Sequence, residues 1–207
     1  MTFDRDFLTR SPLEVAPRIL GSTITARSPE GRVTVRITEV EAYLGAQDPG
    51  SHSYRGKTNR NAVMFGEPGH LYTYFTYGMH TCANIVCLPE GTASGLLLRA
   101  GEVVEGVDLA RSRRLTTRTD ADLARGPARL TVAMGISLAD GGVDLGSGRI
   151  RLHLADGESE YAVGPRTGLS GPGGGVDYPW RFWIPGEPSV SPYKRHVPKL
   201  RQSPTIR

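Results

Sequence analysis

The sequence is poor in lysine, in cysteine and in long apolar segments. Only three of its 25 basic residues are lysines, so arginine carries nearly all of the positive charge. No apolar run approaches the ~20 residues that cross a bilayer, and Met1–Asp6 lacks the apolar core of a signal peptide. These absences argue against a membrane protein and against a secreted one, and we expect a cytoplasmic location.

The two cysteines, Cys82 and Cys87, do not have the spacing of a disulfide or a metal site. They lie in an apparent strand at an odd separation, so a regular strand would point their side chains to opposite faces. Neither they nor His52, His70 and His80 show a metal-ligand spacing. We therefore expect a reducing compartment, no metal and no other cofactor.

The chain is basic, with a net charge of +4 and an isoelectric point near 9.3. Arginine grips phosphate through two parallel hydrogen bonds, so an arginine-rich chain suits a nucleic-acid partner. GC-rich codon usage explains the same bias equally well. The charge is therefore compatible with nucleic-acid binding but does not establish it.

Strand and helix patterns alternate irregularly, which favours one α+β domain over stacked βαβ units. We expect this domain to span residues 1–207, with a basic tail from about Ser189 that is either a flexible, solubilising end or a clamp on a nucleic-acid backbone. Pro17 is expected to shorten the helix that begins at Ser11-Pro12. The expected strands are Ser22–Ala26, Val33–Leu44, Leu71–Tyr77, Thr81–Cys87, Gly95–Ala100, Arg149–Leu154 and Trp180–Ile184, and the further helices are Glu102–Arg114 and one that begins at Gly126-Pro127.

The most informative pattern lies in the second predicted strand. Because strand side chains alternate between faces, Ile37, Glu39, Glu41 and Tyr43 should share one face. Two carboxylates about 6–7 Å apart beside an aromatic ring suit a general base, and Glu41 is the candidate. The alternative is an exposed glutamate that pairs with an arginine.

The segment Leu71–Gly78 is rich in aromatic residues and supplies one arm of a predicted hairpin. Tyr77 lies at its tip, where turns normally carry Gly, Asn or Asp, so folding alone explains it poorly. An aromatic side chain at a tip can enter a DNA duplex and fill the gap left by an extruded base. Alternatively, Tyr77 folds back onto the sheet. Tyr74 would face the same pocket as Tyr43 if their strands are neighbours, or else it packs in the core.

One histidine and three arginines complete the candidate set. His52 lies in the long polar loop 46–69 and is either a functional residue or a residue that is simply exposed to solvent. Arg99 ends an apolar strand and either meets water there or orients a carboxylate or a phosphate. Arg125 and Arg129 flank a predicted helix start whose free N–H groups could hold a phosphate, although an ordinary surface helix end has the same pattern.

Several short motifs follow one another in order from about Leu13 to Ser191. They are Glu39–Gly45, His52-Ser53, Met64-Phe65, Pro68–Tyr74, Tyr77–Met79, Asn84, Leu97–Ala100, Gly126–Leu130 and Arg181–Trp183. No single motif is decisive. The ordered set resembles the alkyladenine (3-methyladenine) DNA glycosylase family, also called the methylpurine-DNA glycosylases.

The resemblance implies a role for each matched residue. Glu41 matches the general base that deprotonates the attacking water, and Arg99 matches the arginine that helps to hold this water and a nearby phosphate. Tyr77 matches the aromatic residue that enters the minor groove where the damaged nucleotide has left. The residues that match the pocket around the flipped base are Tyr43, His52, Tyr74 and Asn84, the last beside the minor-groove edge of the purine.

The resemblance also implies a fold, a reaction and a partner. The fold would be one compact antiparallel sheet, open and barrel-like, with surrounding helices and a protruding β-hairpin. The reaction would be hydrolysis of the N-glycosidic bond of alkylated purines in double-stranded DNA, without strand cleavage because the motifs contain no lysine. We expect a cytoplasmic, nucleoid-associated monomer. Two alternatives are a non-catalytic damage sensor that flips bases and a nucleotide- or RNA-binding module.

Overall fold

A computed structural model describes residues 3–76 and 78–197. Within these residues the chain forms four α-helices and nine β-strands. The helices are α1 (Arg5–Leu8), α2 (Pro12–Ile19), α3 (Val107–Arg113) and α4 (Pro127–Met134). The strands are β1 (Thr23–Ser28), β2 (Gly31–Tyr43), β3 (Leu71–Thr76), β4 (His80–Ile85), β5 (Gly95–Glu105), β6 (Ala124–Arg125), β7 (Ile150–His153), β8 (Ala162–Gly164) and β9 (Arg181–Trp183). Tyr77 and the basic tail after residue 197 lie outside the described residues.

The described strands form one antiparallel sheet that does not close into a barrel. Its main path runs β3-β4-β5-β2-β1-β7, while β6 pairs with β5 and β9 joins β8 to β2. The predicted hairpin is present and consists of β3 and β4. It lies at one end of this path, with the exposed residues Phe75 and Met79 near its tip. The predicted α+β class is confirmed, and no helix in the described part of the chain is long and apolar enough to span a membrane.

Strand β2 is the centre of the molecule because both of its edges are paired. Strand β5 follows one edge along nearly its whole length. The other edge pairs with β1 as far as Arg36 and with β9 from Glu39 onwards. Helices α2 and α4 pack on it, so its apolar residues belong to the main core. A strand enclosed in this way can hold polar side chains in fixed positions away from bulk water.

The regular alternation of β2 is interrupted at Thr38. Two residues of β2, Ile37 and Thr38, oppose the single residue Gly101 of β5. A β-bulge of this kind shifts the side-chain alternation by one residue, so the core-facing series passes from Ile37 to Val40. The prediction that Ile37 shares a face with the two glutamates that follow it is therefore wrong.

A compensating bulge lies on β5 directly beside the first. One step along β2, from Glu39 to Val40, corresponds to two steps along β5, and the extra residue is Arg99. Bulges bend a strand and redirect a side chain, which is why they recur next to active sites. Here the two bulges bring Arg99 to the side of β2 that carries the glutamates.

The predicted helix Glu102–Arg114 is wrong over its first turn. Strand β5 continues to Glu105, and α3 begins only at Val107, after Gly106 in a left-handed conformation with φ of 74°. Cross-strand pairing explains the difference: Glu102 and Glu105 form ion pairs with two arginines of β2. Those long-range pairs favour the extended chain over the helix that the local pattern suggested.

The two chain ends are packed further than the sequence suggested. Helix α2 continues through Pro17 to Ile19, because its buried face packs against the sheet. The expected tail is ordered at its start, since the Ser189 hydroxyl lies 2.9 Å from that of Thr38 and the Ser191 N–H donates to Glu39 over 2.7 Å. The segment up to Ser191 is therefore part of the fold.

Gly101 is required where the two bulges meet. A Cβ atom there would lie 2.5 Å from the carbonyl oxygen of Arg36 and 2.3 Å from a methyl group of Val35. The Gly101→Ala substitution should therefore lower the free energy of unfolding by about 2–3 kcal/mol, because β5 must move away from β2. Denaturant unfolding at equilibrium measures this change.

The matched control is Gly157→Ala. A Cβ at Gly157 has no heavy atom within 4 Å, and neither glycine has a positive φ that would add strain. Gly157→Ala should change the free energy of unfolding by less than about 0.5 kcal/mol. Equal stabilities of the two variants would contradict the close approach of the strands at Gly101.

Candidate active site

A cavity of about 220 Å³ opens between the sheet and two loops, the one after β2 and the one after β8. It could hold several water molecules, each of which occupies about 30 Å³ in the liquid. Six of the predicted site residues line it: Glu41, Tyr43, His52, Tyr74, Asn84 and Arg99. Further lining residues are Met64, Tyr72, Cys82, Leu97, Pro127 and Thr167.

The carboxylate of Glu41 is held by two hydrogen bonds. Its Oε1 accepts the backbone N–H of Thr167 over 2.7 Å, and its Oε2 accepts the hydroxyl of Tyr43 over 2.9 Å. Burial, together with the neighbouring Glu41, raises the pKa of Tyr43 well above its usual value, so this hydroxyl stays a donor. Each carboxylate oxygen has a further lone pair for another donor, such as a water in the cavity.

Arg99 lies between the two glutamates of β2. Its Nε is 3.0 Å from Oε1 of Glu39 and 3.4 Å from Oε1 of Glu41. Burial alone would lower the pKa of Arg99, but the two carboxylates outweigh it and raise the pKa, so the guanidinium is charged. Its terminal nitrogens donate to none of the described residues and remain available to a ligand in the cavity.

Glu39 supports the site through its contact with Arg99 and is itself fully buried. Its carboxylate accepts Nε of Arg181 over 2.5 Å and the backbone N–H of Ser191 over 2.7 Å. Because its oxygens are occupied by these donors and by Arg99, Glu39 positions the guanidinium and does not line the cavity. The two glutamates therefore have different environments although they are two residues apart.

One wall of the cavity is the ring of Tyr43, which is supported from behind by Arg166. The guanidinium carbon of Arg166 lies 4.5 Å from the centre of the Tyr43 ring and 5.2 Å from that of Trp180. Arg166 is buried and forms two 2.6 Å hydrogen bonds with the buried Asp48, as well as one to the carbonyl oxygen of Ala42. The ring is thus fixed by a buried ion pair.

The opposite wall consists of three rings. His52 meets the ring of Tyr74 edge-on at 4.5 Å, and Tyr72 and Tyr74 stack at 5.7 Å. Nδ1 of His52 lies 3.2 Å from the hydroxyl of Tyr72. Burial, with a smaller effect of Arg60, lowers the pKa of His52, so its ring is neutral at pH 7. The wall is aromatic and carries no charge.

The deep part of the cavity is formed by β4 and β5. Nδ2 of Asn84 donates to the carbonyl oxygen of Tyr72 over 3.1 Å, which fixes the amide. Burial raises the pKa of the neighbouring Cys82 thiol, so it is not a reactive thiolate. The two strands that carry Tyr43 and Tyr74 are not neighbours, because β4 and β5 lie between them, yet both rings reach the same space.

The remaining predicted residues lie outside the cavity. Arg125 donates to the carbonyl oxygen of Val190, and both Arg125 and Arg129 approach Asp122 at the surface, at 3.7 and 3.5 Å. Pro127, which lies between them in the chain, borders the cavity. Tyr77 is outside the described residues, although its neighbour Thr76 also borders the cavity.

Asp48, Arg166 and Thr167 belong to the site but were not predicted from the sequence. Arg166 and Thr167 follow a short strand in a segment that reads as an ordinary loop, and nothing local connects them to Glu41 more than 120 residues earlier.

Among residues 3–76 and 78–197, no three His, Cys, Asp or Glu side chains come together as a metal ion would require.

The chain was compared with known families and proteins. Residues 6–188 match the family model described as methylpurine-DNA glycosylase (MPG). A protein of Leifsonia xyli subsp. xyli, named "Putative 3-methyladenine DNA glycosylase", is 60% identical over 93% of this chain and 92% of its own. Proteins of the same name from Streptomyces avermitilis and Mycobacterium leprae are 52% and 45% identical, covering 96% and 92% of this chain and 95% and 88% of their own.

The family model spans most of the chain, and each of these relatives covers nearly all of it at well over 30% identity. The resemblance drawn from the ordered motifs is thereby confirmed. The chain belongs to the methylpurine-DNA glycosylase family and is a hydrolase that acts on N-glycosyl bonds.

Proposed function

We propose that this enzyme flips an alkylated purine nucleotide, such as 3-methyladenine, out of double-stranded DNA into the cavity and hydrolyses its N-glycosidic bond. The observation that carries the proposal is the arrangement of Glu41, Arg99 and Tyr43 around one space: a general base, a charged guanidinium and a stacking surface. The enzyme acts as a monomer on the DNA of the cytoplasm.

The reaction is a displacement at C1′ of the deoxyribose. Glu41 takes a proton from a water molecule as its oxygen attacks C1′, while the C1′–N bond breaks and its electron pair leaves with the base. Alkylation makes the purine cationic, so it departs as a neutral molecule and needs no proton. The sugar develops positive charge as the bond breaks, and a nearby carboxylate stabilises that charge.

The two aromatic walls favour a cationic base. Stacking on an aromatic ring contributes about 1–3 kcal/mol per base, and an aromatic face attracts a positive charge. The lowered pKa of His52 matters here, because a protonated imidazole would repel the cationic purine. Asn84, whose amide is fixed by its bond to Tyr72, would crowd the amino group of guanine and so disfavour that base.

Base removal should occur without strand cleavage. Glycosylases that also cut the strand form a Schiff base through an amine. No lysine is found among the residues that line the cavity in the described part of the chain. Hydrolysis by water therefore leaves an abasic site, which the enzyme releases intact.

Contacts with the DNA backbone would surround the mouth of the cavity. Arg125 and Arg129 flank Pro127 at the rim and are partly exposed, so either can exchange its weak pairing with Asp122 for a phosphate. Tyr77 would enter the duplex from the tip of the β3–β4 hairpin. Phosphate contacts make DNA affinity fall steeply with salt.

The Glu41→Gln substitution tests the proposed reaction. Glutamine keeps one acceptor oxygen for the N–H of Thr167, and its NH2 group can donate to the hydroxyl oxygen of Tyr43. It cannot take a proton from water, so release of 3-methyladenine should fall by more than about 100-fold, the lower range of general-base effects. Affinity for DNA that contains the lesion should change little. Single-turnover release of free base from methylated duplex DNA measures the rate.

The matched control is Glu160→Gln, which makes the same change of charge at an exposed position. It should leave both the rate and the affinity unchanged. If Glu41→Gln released base as fast as the wild type, Glu41 would not be the general base. If the wild type bound lesions but released no base, the protein would be a damage sensor instead.

The Asp48→Asn substitution tests the support of the Tyr43 wall. It leaves the buried Arg166 without a counter-charge, and breaking a buried ion pair costs about 3–5 kcal/mol. We expect the free energy of unfolding to fall by that amount and excision to weaken as Tyr43 loses its fixed position. Asp120→Asn, which breaks an exposed pair with Arg111, should cost less than about 1 kcal/mol. Similar stabilities of the two variants would argue against the buried pair as a support.

The Tyr77→Ala substitution tests the hairpin as a wedge. Losing one base–aromatic stack of about 1–3 kcal/mol should slow single-turnover excision by about 5- to 150-fold, because the flipped state becomes less populated. The matched control, Tyr161→Ala, removes an exposed tyrosine directly before β8 and should have no such effect. Identical excision rates for Tyr77→Ala and the wild type would rule out the wedge.

A further inference from the structure

The chain beyond β9 returns to the site as a strap, Ser189–Lys194, that is held through its backbone. The carbonyl oxygen of Val190 accepts Nε of Arg125 over 2.8 Å. Further along, the carbonyl oxygen of Lys194 accepts the N–H of Gly168 over 2.7 Å. The strap contains no helix or strand, so contacts of this kind determine where it runs.

The strap joins two points on the rim of the cavity. Gly168 and Leu169 line the cavity and are partly exposed, so they lie at its mouth. Lys194 is one hydrogen bond away from that mouth. At the other end of the strap, Arg125 flanks Pro127, which borders the same cavity. The chain therefore leaves the fold beside the opening through which a nucleotide would enter.

The residues at the end of the strap carry positive charge that the protein does not neutralise. Lys194 and Arg195 are exposed, and no described acidic residue forms an ion pair with either. Other exposed arginines, such as Arg18 and Arg111, are paired with acids. Residues 189–207 contain no Asp or Glu, and their basic residues are Lys194, Arg195, Lys199, Arg201 and Arg207. This surface suits an anionic partner.

We propose that Lys194 and Arg195 bind phosphates of the DNA strand that carries the flipped nucleotide. This inference rests on the proposed function. When the base occupies the cavity, its deoxyribose lies at the mouth, and the strand's phosphates flank that sugar on both sides. The long stem of Lys194 and the forked guanidinium of Arg195 suit such phosphates. Contacts of this kind position the enzyme on DNA without reading its sequence.

The double variant Lys194→Gln with Arg195→Gln tests the contact in the full-length protein. Each phosphate contact that is lost should make the slope of log affinity against log salt concentration less steep by about 0.9. Between about 50 and 200 mM salt, the wild type should therefore lose about 12-fold more affinity than the double variant. Fluorescence anisotropy with duplex DNA that carries a pyrrolidine in place of one deoxyribose measures both slopes. A double variant with the wild-type slope would overturn the proposal.

The matched control compares two single changes of the same charge, Arg195→Gln and Arg27→Gln. Arg27 is exposed and pairs with Arg32 at the far end of β2 from Glu41, roughly 30 Å away along the strand. Arg195→Gln should reduce the slope by about 0.9, whereas Arg27→Gln should leave it unchanged. Equal reductions would mean that only the net charge matters, and the proposal would be overturned.

Acetylation of lysine amines locates the contact directly. Lys194 should react with acetic anhydride several-fold more slowly when the pyrrolidine duplex is bound, because a phosphate covers its amine. A Lys194 amine that reacts equally fast with and without DNA would overturn the proposal and make the tail a solubilising end. The proposed function fails by a different result, in which the wild type releases no 3-methyladenine from methylated duplex DNA.

Discussion

The site depends on the interaction of one buried guanidinium with two carboxylates. Arg99 lies between Glu39 and Glu41, at 3.0 and 3.4 Å, where isolated charges would be costly to bury. Glu39 also accepts hydrogen bonds from Arg181 and Ser191 and does not line the cavity, which leaves Glu41 as the acid that faces the cavity. The positive charge of Arg99 allows two carboxylates to lie together, and its terminal nitrogens remain available for substrate.

This arrangement requires the paired bulges of β2 and β5. In a regular strand pair, the side chain of Arg99 would alternate strictly with those of its apolar neighbours. As the extra residue of the bulge on β5, it is redirected so that its charge meets the glutamates of β2. Gly101 allows the backbones to approach at that point. The support of the second wall is equally non-local, since Asp48, Arg166 and Ala42 come from three distant segments of the chain.

The sequence predicted the elements whose signal is local. The hairpin of β3 and β4, the helix that begins at Pro127 and the α+β class follow from alternation, turn residues and helix caps. What it missed depends on tertiary contacts. The residues Ile37 to Glu41 give no sequence signal of the bulge that they contain. The extension of β5 to Glu105 depends on ion pairs with arginines of β2. The contact of Thr167 with Glu41 joins residues that are far apart in the chain. The family resemblance pointed to six side chains that line the cavity, but not to the ones that hold them in place.

The most direct test of the account is a crystal structure of the enzyme bound to duplex DNA that carries a cationic pyrrolidine in place of the damaged deoxyribose. We expect a flipped pyrrolidine in the cavity and a water within about 2.6–3.2 Å of Glu41, with its oxygen about 3–3.5 Å from the ring atom at the C1′ position. A pyrrolidine that stays in the duplex, or one that is flipped with the Glu41 carboxylate turned away from it, would contradict the account.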